Sequence, residues 1–313
     1  MNAGDYPRSS AELNRRFPDE QACREYLFAL RWPSGFSCPH CRGDKAWPLQ
    51  SGRFECAVCG HQISVTAGTI FQGTRIPLTV WFRAVWWIIE MEEISAVDLQ
   101  RELGCASYQT AWTCLHKLRH AMAFPGLKRL EGVVQIGHSF LNAFQKSNSL
   151  FNVSSPPLIM IAVETRGQET GQIRLRHIPT VDLFDPVRFI VATVEPGSMV
   201  HTDGWKRYLL NNQPAYGQIV TQLPGNPDEA SELLPHVQQV LSLLEQWLQQ
   251  RRYSAVSHVH LQNYLDEYAF NFNCPRVRSI LFYRLLQQAV MTEPTTYKEI
   301  TGSKANRAKS KSK

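Results

Sequence analysis

The chain has 313 residues, 43% of them hydrophobic and 19% charged, with a formal charge of +6. That is enough apolar material for packed cores and too little charge for an intrinsically disordered chain. No apolar run approaches the roughly 20 residues that cross a bilayer, and the most apolar one, Val80 to Ile89, carries Arg83, so a membrane-spanning chain is excluded. The first residues lack the hydrophobic region of a signal peptide, and a cytoplasmic, nucleoid-associated protein is expected. The charge is uneven: residues 1–130 hold 15 Lys/Arg against 12 Asp/Glu, residues 131–302 hold 13 against 15, and residues 303–313 hold five basic residues and no acidic one. A basic front and tail suit a polyanionic partner; the tail alone reads equally well as a solubilising segment.

Residues 1–75 form the first predicted unit. An amphipathic helix (Asp19 to Leu30) leads into Arg31-Trp32-Pro33-Ser34-Gly35-Phe36 and then two C-x-x-C pairs, Cys38/Cys41 and Cys56/Cys59. Each pair can form a knuckle that offers two thiolates, and two knuckles complete the tetrahedron of a Cys₄ zinc ribbon. Four protein ligands leave no open position, so the Zn²⁺ is structural. Phe54 and the run Gln62 to Ala67 have the β character of the ribbon's strands. The other cysteines, Cys23, Cys105, Cys114 and Cys274, stand among apolar neighbours as small hydrophobes.

Residues 76–130 are predicted helical. Pro77 starts a helix that is apolar nearly all round from Val80 to Met91, Ser95-x-x-Asp98 caps a second that ends near Leu103-Gly104, and Ser107 caps a third through Met122. Two short helices joined by a Gly-containing turn form a helix-turn-helix pattern. The third helix is expected to place Ala111, Leu115 and Leu118 inward and Tyr108, Gln109, Thr110, Thr113, Lys117 and Arg119 outward, where they reach bases and phosphates; a helical hairpin with a solvated face has the same pattern.

From Glu131 the pattern changes to strands: Gly132 to Phe144, Leu158 to Thr165 and Ile173 to Ile178. A helix (Val181 to Val194) precedes a short strand that ends at Asp203, and a β-like segment follows near Gln218 to Gln222. A long helix with Leu233, Val237, Val240, Leu244 and Trp247 on its buried stripe comes next, then helices around Val256 to Phe272 and Pro275 to Val290. The order predicts an α/β fold: a zinc ribbon and helix-turn-helix region (1–75 and 76–130), an RNase H-like mixed sheet flanked by helices (131–292), and a basic disordered tail (293–313).

Four segments carry a family resemblance: Arg31-Trp32-Pro33-x-Gly35-Phe36-x-Cys38-Pro39-x-Cys41, Ala111-Trp112-x-x-Leu115-His116-x-Leu118-Arg119, Thr202-Asp203-Gly204-Trp205, and Tyr264-Leu265-Asp266-Glu267-Tyr268. In this order they resemble insertion-sequence transposases with an N-terminal zinc ribbon and an ISXO-like integrase domain. The resemblance implies a DDE-type enzyme that holds two divalent metals, normally Mg²⁺, for in-line phosphoryl transfer on double-stranded DNA. It also implies a second copy or a related transposase as protein partner. Carried over position by position, the family's first catalytic Asp corresponds to Gly137, the second to Asp203, and the third acidic or substitute residue to Gln238. A family Lys further along the long helix becomes Glu245, Gly-Thr-His becomes Gln250-Arg251-Arg252, and Arg-Phe-Asn-Arg-Arg becomes Asn271-Phe272-Asn273-Cys274-Pro275. The departures fall on polar positions and point to a degenerate strand-transfer site. His138, Glu164 and Glu245 are the candidates to compensate, Asp203 reads either as a retained ligand or as a helix cap, and Glu267 reads as solvated or salt-bridged. Three functions are open: a DNA-binding protein that recognises element ends with an impaired site, an active transposase with a remodelled metal site, and a non-catalytic regulator or inhibitor of transposition.

Overall fold

The computed structural model describes residues 6–91, 94–105, 107–123, 128–141, 157–179, 185–202, 215–220, 234–250, 260–274 and 277–300. The chain divides into two compact units, residues 1–125 with 274–313, and residues 126–273.

In the first unit, α1 (Ser10–Arg16) and α2 (Glu20–Arg31) start at Ser9 and Asp19, whose side chains accept the backbone N–H of Glu12 and Ala22. On α2, Cys23, Leu27 and Leu30 form the buried stripe that the 4, 3 spacing dictates. Next comes a three-stranded antiparallel sheet, β1 (Ala46–Pro48), β2 (Arg53–Cys56) and β3 (Gln62–Ser64). Its small core, Phe36, Cys38, Cys56 and Ile63, is completed by Phe28 from α2, by Trp32 at that helix's C-terminal cap and by Phe54. Arg31 ties the helix to the ribbon by donating from Nη1 to the carbonyls of Ser64 and Val65 (3.2 and 2.8 Å). So small a core cannot hold itself together by burial alone, and a bound metal supplies the balance.

Helices α3 (Leu78–Glu90), α4 (Ala96–Leu103) and α5 (Tyr108–Met122) follow. Ser95 and Asp98 form a reciprocal capping box on α4, Gly104 ends it at φ +64°, and Ser107 caps α5, as the sequence signals require. The chain returns to this unit near its end. Helix α9 (Arg278–Met291) packs on α2, α3 and α5, so it clusters here and not with the sheet to which residues up to 292 were expected to belong. Within the segment expected as a disordered tail, Thr296 and Glu299 cap a further helical turn, α10 (Tyr297–Ile300), whose Tyr297 ring meets Trp112 at 5.7 Å. Residues 301–313 lie outside the described residues.

The second unit is built on a five-stranded sheet of order β6-β5-β4-β7-β8, from β4 (Val133–Phe140), β5 (Leu158–Arg166), β6 (Glu169–Ile178), β7 (Met199–Thr202) and β8 (Gly217–Val220). β4, β5 and β6 pair antiparallel, and β7 and β8 add in parallel. This is the mixed sheet of the RNase H-like class. Alternation splits its side chains between two cores. Val134, Ile136, Met160, Ala162 and Val200 face α6 (Asp185–Thr193), while Ile159, Ile161, Val163 and Ile173 face α7 (Pro235–Gln250) and α8 (Leu261–Asn273). Helix α8 runs along the free edge of β6. There Asn273 pairs with both the N–H and the C=O of Ile173 (2.7 and 3.0 Å), and Gln262 accepts from His177 N and donates to Leu175 O. Two amide side chains thus occupy the place of a sixth strand and blunt that edge.

Candidate metal centre and candidate catalytic face

The Sγ atoms of Cys38, Cys41, Cys56 and Cys59 all lie within 4.8 Å of one another, with Cys38–Cys59 at 3.7 Å and Cys41–Cys56 at 3.5 Å. A disulfide would bring two sulfurs to about 2 Å, whereas thiolates about 2.3 Å from one Zn²⁺ stand about 3.8 Å apart along the tetrahedron's edges. The cluster has the zinc spacing. Both C-x-x-C pairs close the same backbone turn. The first Cys donates its N–H five residues on (Cys38 to Gly43 and Cys56 to His61, 2.9 Å each), and Arg42 and Gly60 donate back to the Cys38 and Cys56 carbonyls (2.8 and 2.9 Å). The closing residue is left-handed in both turns, Arg42 at φ +61° and Gly60 at φ +69°. Gly60 adopts this freely, whereas Arg42 carries a cost of about 1 kcal/mol. The four cysteines are a zinc-binding cluster with every tetrahedral position filled from the protein.

The outward face expected on α5 divides. Tyr108 is 50% exposed, Gln109 is exposed, and Thr110 and Thr113 are half-buried at the helix start. Lys117 and Arg119 do not follow. The Lys117 ammonium donates to the Ile70 carbonyl at 3.2 Å, and burial lowers its pKa; Arg119 is 2% exposed. The outward placement of these two cations is corrected by the packing: α3, α4 and α9 all lie against α5, so a stripe that 3.6-residue periodicity assigns to solvent is covered.

On the sheet, Gly137 of β4 lies opposite Ile161 of β5, on the face toward α7. A Cβ placed on it would stand 2.7 Å from Val237 Cγ1, so α7 packs against the backbone there. Two residues earlier, Gln135 reaches up from the same face and its Oε1 accepts from the N–H groups of His236 and Val237 (3.1 and 3.4 Å), capping the start of α7 from within the sheet. Position along α7 follows from about 100° per residue. With Val237, Val240 and Leu244 toward the sheet, Gln238 and Glu245 share one flank, about 100° and 80° from Val237. The other flank faces β6: Thr170 Oγ1 meets His236 Nδ1 at 2.8 Å and donates to Gln239 at 2.7 Å. Gln238 and Glu245 therefore face the β7 side. On that face Val133 of β4, Met199 of β7 and Ile219 of β8 are exposed.

Two of the compensating candidates are not on this face. His138 pairs with Met160 and Glu164 with Val134, which places both toward α6, with the sheet between them and Gly137. Glu164 is instead held by Arg166 at 3.3 Å and by the Gln172 N–H at 3.4 Å. Glu267, expected to be solvated or salt-bridged, is 2% exposed, so of the two readings the solvated one is corrected. Its neighbour Asp266 is half-buried, and desolvation, opposed by a hydrogen bond from Gln262 and by the charge of Arg176, raises its carboxyl to about 7. Asp203 follows Thr202 in sequence and lies outside the described residues. The glycine was legible as a substitution; its contact with Val237 and the cap from Gln135 were not. A lone Gly inside a strand is nonetheless a signal of close approach.

Residues 18–62 match the family described as transposase zinc-ribbon domain, of IS1595 type, and residues 129–273 match the one described as ISXO2-like transposase domain. An uncharacterized protein in transposable element ISH50 of Halobacterium salinarum is 26% identical over 214 residues, which cover 62% of this chain and 70% of that protein. No solved structure matches the chain.

Proposed function

Because the chain belongs to the insertion-sequence transposases that join a zinc ribbon to an ISXO2-like domain, we propose that it is a DNA-binding protein that recognises element ends and has an impaired strand-transfer site. The observation that carries this reading is the contact at Gly137. Where the family's first carboxylate stands, this chain has no side chain, and Val237 fills the space above it. At the third position Gln238 offers a neutral amide. Two divalent ions bring a charge of +4, and Mg²⁺ needs several hard oxygen ligands in near-octahedral order. The described residues do not fit two Mg²⁺ ions. The α4–turn–α5 segment, with Tyr108, Gln109 and Thr110 exposed or half-buried at the start of α5, supports a helix-turn-helix contact, in which the first residues of the second helix read base edges.

One observation favours an active enzyme with a remodelled site: Glu245 shares the flank of Gln238 and faces the same β7 side, so a carboxylate is present there. Purified protein on DNA carrying the element ends, with Mg²⁺ and separately with Mn²⁺, separates the two. The impaired site gives binding without strand transfer. Cleavage that disappears in Asp203→Ala shows that a remodelled site works and overturns the reading.

A further inference from the structure

The ribbon's sheet has two faces, and only one belongs to its core. Phe54 and Ile63 point toward Phe28 and Trp32. On the opposite face Trp47 lies directly across from Glu55, and Glu55 from Gln62. Trp47 is 66% exposed, although an indole of this size is ordinarily among the most buried of side chains. It stands on β1, an edge strand of the sheet, between the two cysteine knuckles in sequence. Two cations flank it. Lys45 precedes it by two residues, on the same face by alternation, with its carbonyl still in the ladder through Ala57 N–H at 2.9 Å. Arg53 is the diagonal neighbour beyond Glu55, about 7–8 Å away in such a ladder, and Lys45 and Arg53 are both exposed. The acid on this face, Glu55, is engaged by Gln62 Nε2 at 2.8 Å.

We propose that Trp47 is a stacking platform for an unpaired DNA base, with Lys45 and Arg53 holding the phosphates on either side. The proposal rests on the DNA-binding reading above and deepens it by assigning the ribbon to single-stranded or frayed DNA. An exposed aromatic ring on an edge strand offers a π-face that any base can stack on, and flanking cations track the backbone, the two elements of sequence-tolerant single-strand binding. A base paired inside a duplex keeps its own stacking partners, so the ring gains nothing there. The charge pattern decides the occupant: two exposed cations beside the ring suit a polyanion with π-faces.

The test uses the full-length zinc-loaded chain and two fluorescent probes, an oligothymidine and a blunt-ended duplex of mixed sequence. Trp47→Ala is expected to weaken oligothymidine binding about 5- to 150-fold, which corresponds to about 1–3 kcal/mol, and to leave duplex binding unchanged. Trp47→Phe restores most of the loss. Lys45→Ala lowers the slope of log K against log salt on the oligothymidine by about 0.7. Zinc content and melting behaviour of each variant are measured alongside, since an exposed ring can be removed without unfolding the ribbon. The assignment is overturned by equal losses on both probes, by no loss on oligothymidine, or by a wild-type chain that binds the duplex and ignores the single strand. A chain that binds neither probe overturns the DNA-binding reading as well.

Discussion

Replacing Gly137 with Asp tests how the candidate catalytic face is built. A Cβ at this position meets Val237 Cγ1 at 2.7 Å and its Cβ at 3.6 Å, whereas carbon contacts are comfortable at about 3.5–4.0 Å. An overlap of about 1 Å has to be relieved by Val237 or by α7 as a whole. Val237 is buried, and a β-branched side chain in a helix has one strongly preferred rotamer. Lifting α7 breaks the two bonds that Gln135 makes to its first turn. Overpacking costs about 1–3 kcal/mol, and a polar group left unsatisfied beside Ile161 adds about 1–3 kcal/mol, so Gly137→Asp is expected to destabilise the sheet unit by about 2–6 kcal/mol. Val237→Ala alone loses two methyl groups and opens a small cavity, at about 2 kcal/mol. In the double variant the obstructing methyl is gone, so its cost falls below the sum of the single costs by about 1–2 kcal/mol. Hydrogen exchange of the β4 amides in the full-length chain reads this locally, whatever the ribbon does. A Gly137→Asp variant as protected as wild type, or a strictly additive cycle, would refute the assignment of Val237 as the group that fills the carboxylate's place. Neither variant gains metal-dependent strand transfer, because Gln238 still supplies only an amide.

Metal analysis should return one zinc per chain, and chelation should abolish the packing of Phe28, Trp32 and Phe54, seen in the near-ultraviolet dichroism; a metal-free chain with four freely reactive thiols removes the centre. Lys117→Ala and Arg119→Ala should lower the melting temperature and leave the salt dependence of duplex binding unchanged, while a slope reduced by about 0.9 per residue would put them on phosphates after all. Desolvation pushes the Asp266 carboxyl up to about 7 in the folded chain, above the ordinary aspartate value of about 3.9. The folded state therefore binds more protons between these values, and stability falls as pH rises from about 4 to about 7. Asp266→Asn should flatten that part of the profile, and an unchanged slope would show that burial there is relieved by water. Asn273→Ala leaves both backbone groups of Ile173 unpaired at the sheet edge, and about 1–3 kcal/mol of stability should go with it, checked by urea unfolding.

Legibility in the sequence tracked the range of the interaction. The two knuckles, the Ser95/Asp98 box and the Ser107 cap are set by residues within five positions of one another, and each stands where its motif places it. The antiparallel hairpin of β5 and β6 was legible as two strands, and left-handed Gly167 joins them in a turn tight enough to extend β6 back to Glu169. Arg119 failed because its burial depends on packing around α5, and one of the helices packed there, α9, comes from the far end of the chain. A hydrophobic stripe shows which side of a helix faces one neighbour; it does not show how many neighbours there are. His138 and Glu164 failed for the opposite reason. Their faces follow from strand alternation once the register is fixed, and Glu164 lies opposite Val134. A one-residue shift would have moved it to the α7 face, and the sequence alone does not fix the register.

On the proposed reading, the same geometry lets the fold keep its stability without the family's polar set. In a two-metal site several carboxylates converge and repel one another until cations arrive, so such a site is held together at a cost to stability. Here the β4 position has become Gly137, which lets α7 settle on the strand with Val237 in contact and Gln135 capping its first turn. On the proposed reading, that exchange turns a repulsive cluster into packing. The apolar residues that hold α7, Val237, Val240, Leu244 and Leu248, belong to a core shared with β5, β6 and α8 and need nothing from Gln238 or Glu245 on the flank. On that reading, loss of the catalytic set is decoupled from loss of the fold, and Gln238→Glu is expected to leave the sheet unit's stability unchanged within about 0.5 kcal/mol, as for a surface substitution. A large loss of stability in that variant would mean that the flank is part of the core and that the two can change only together.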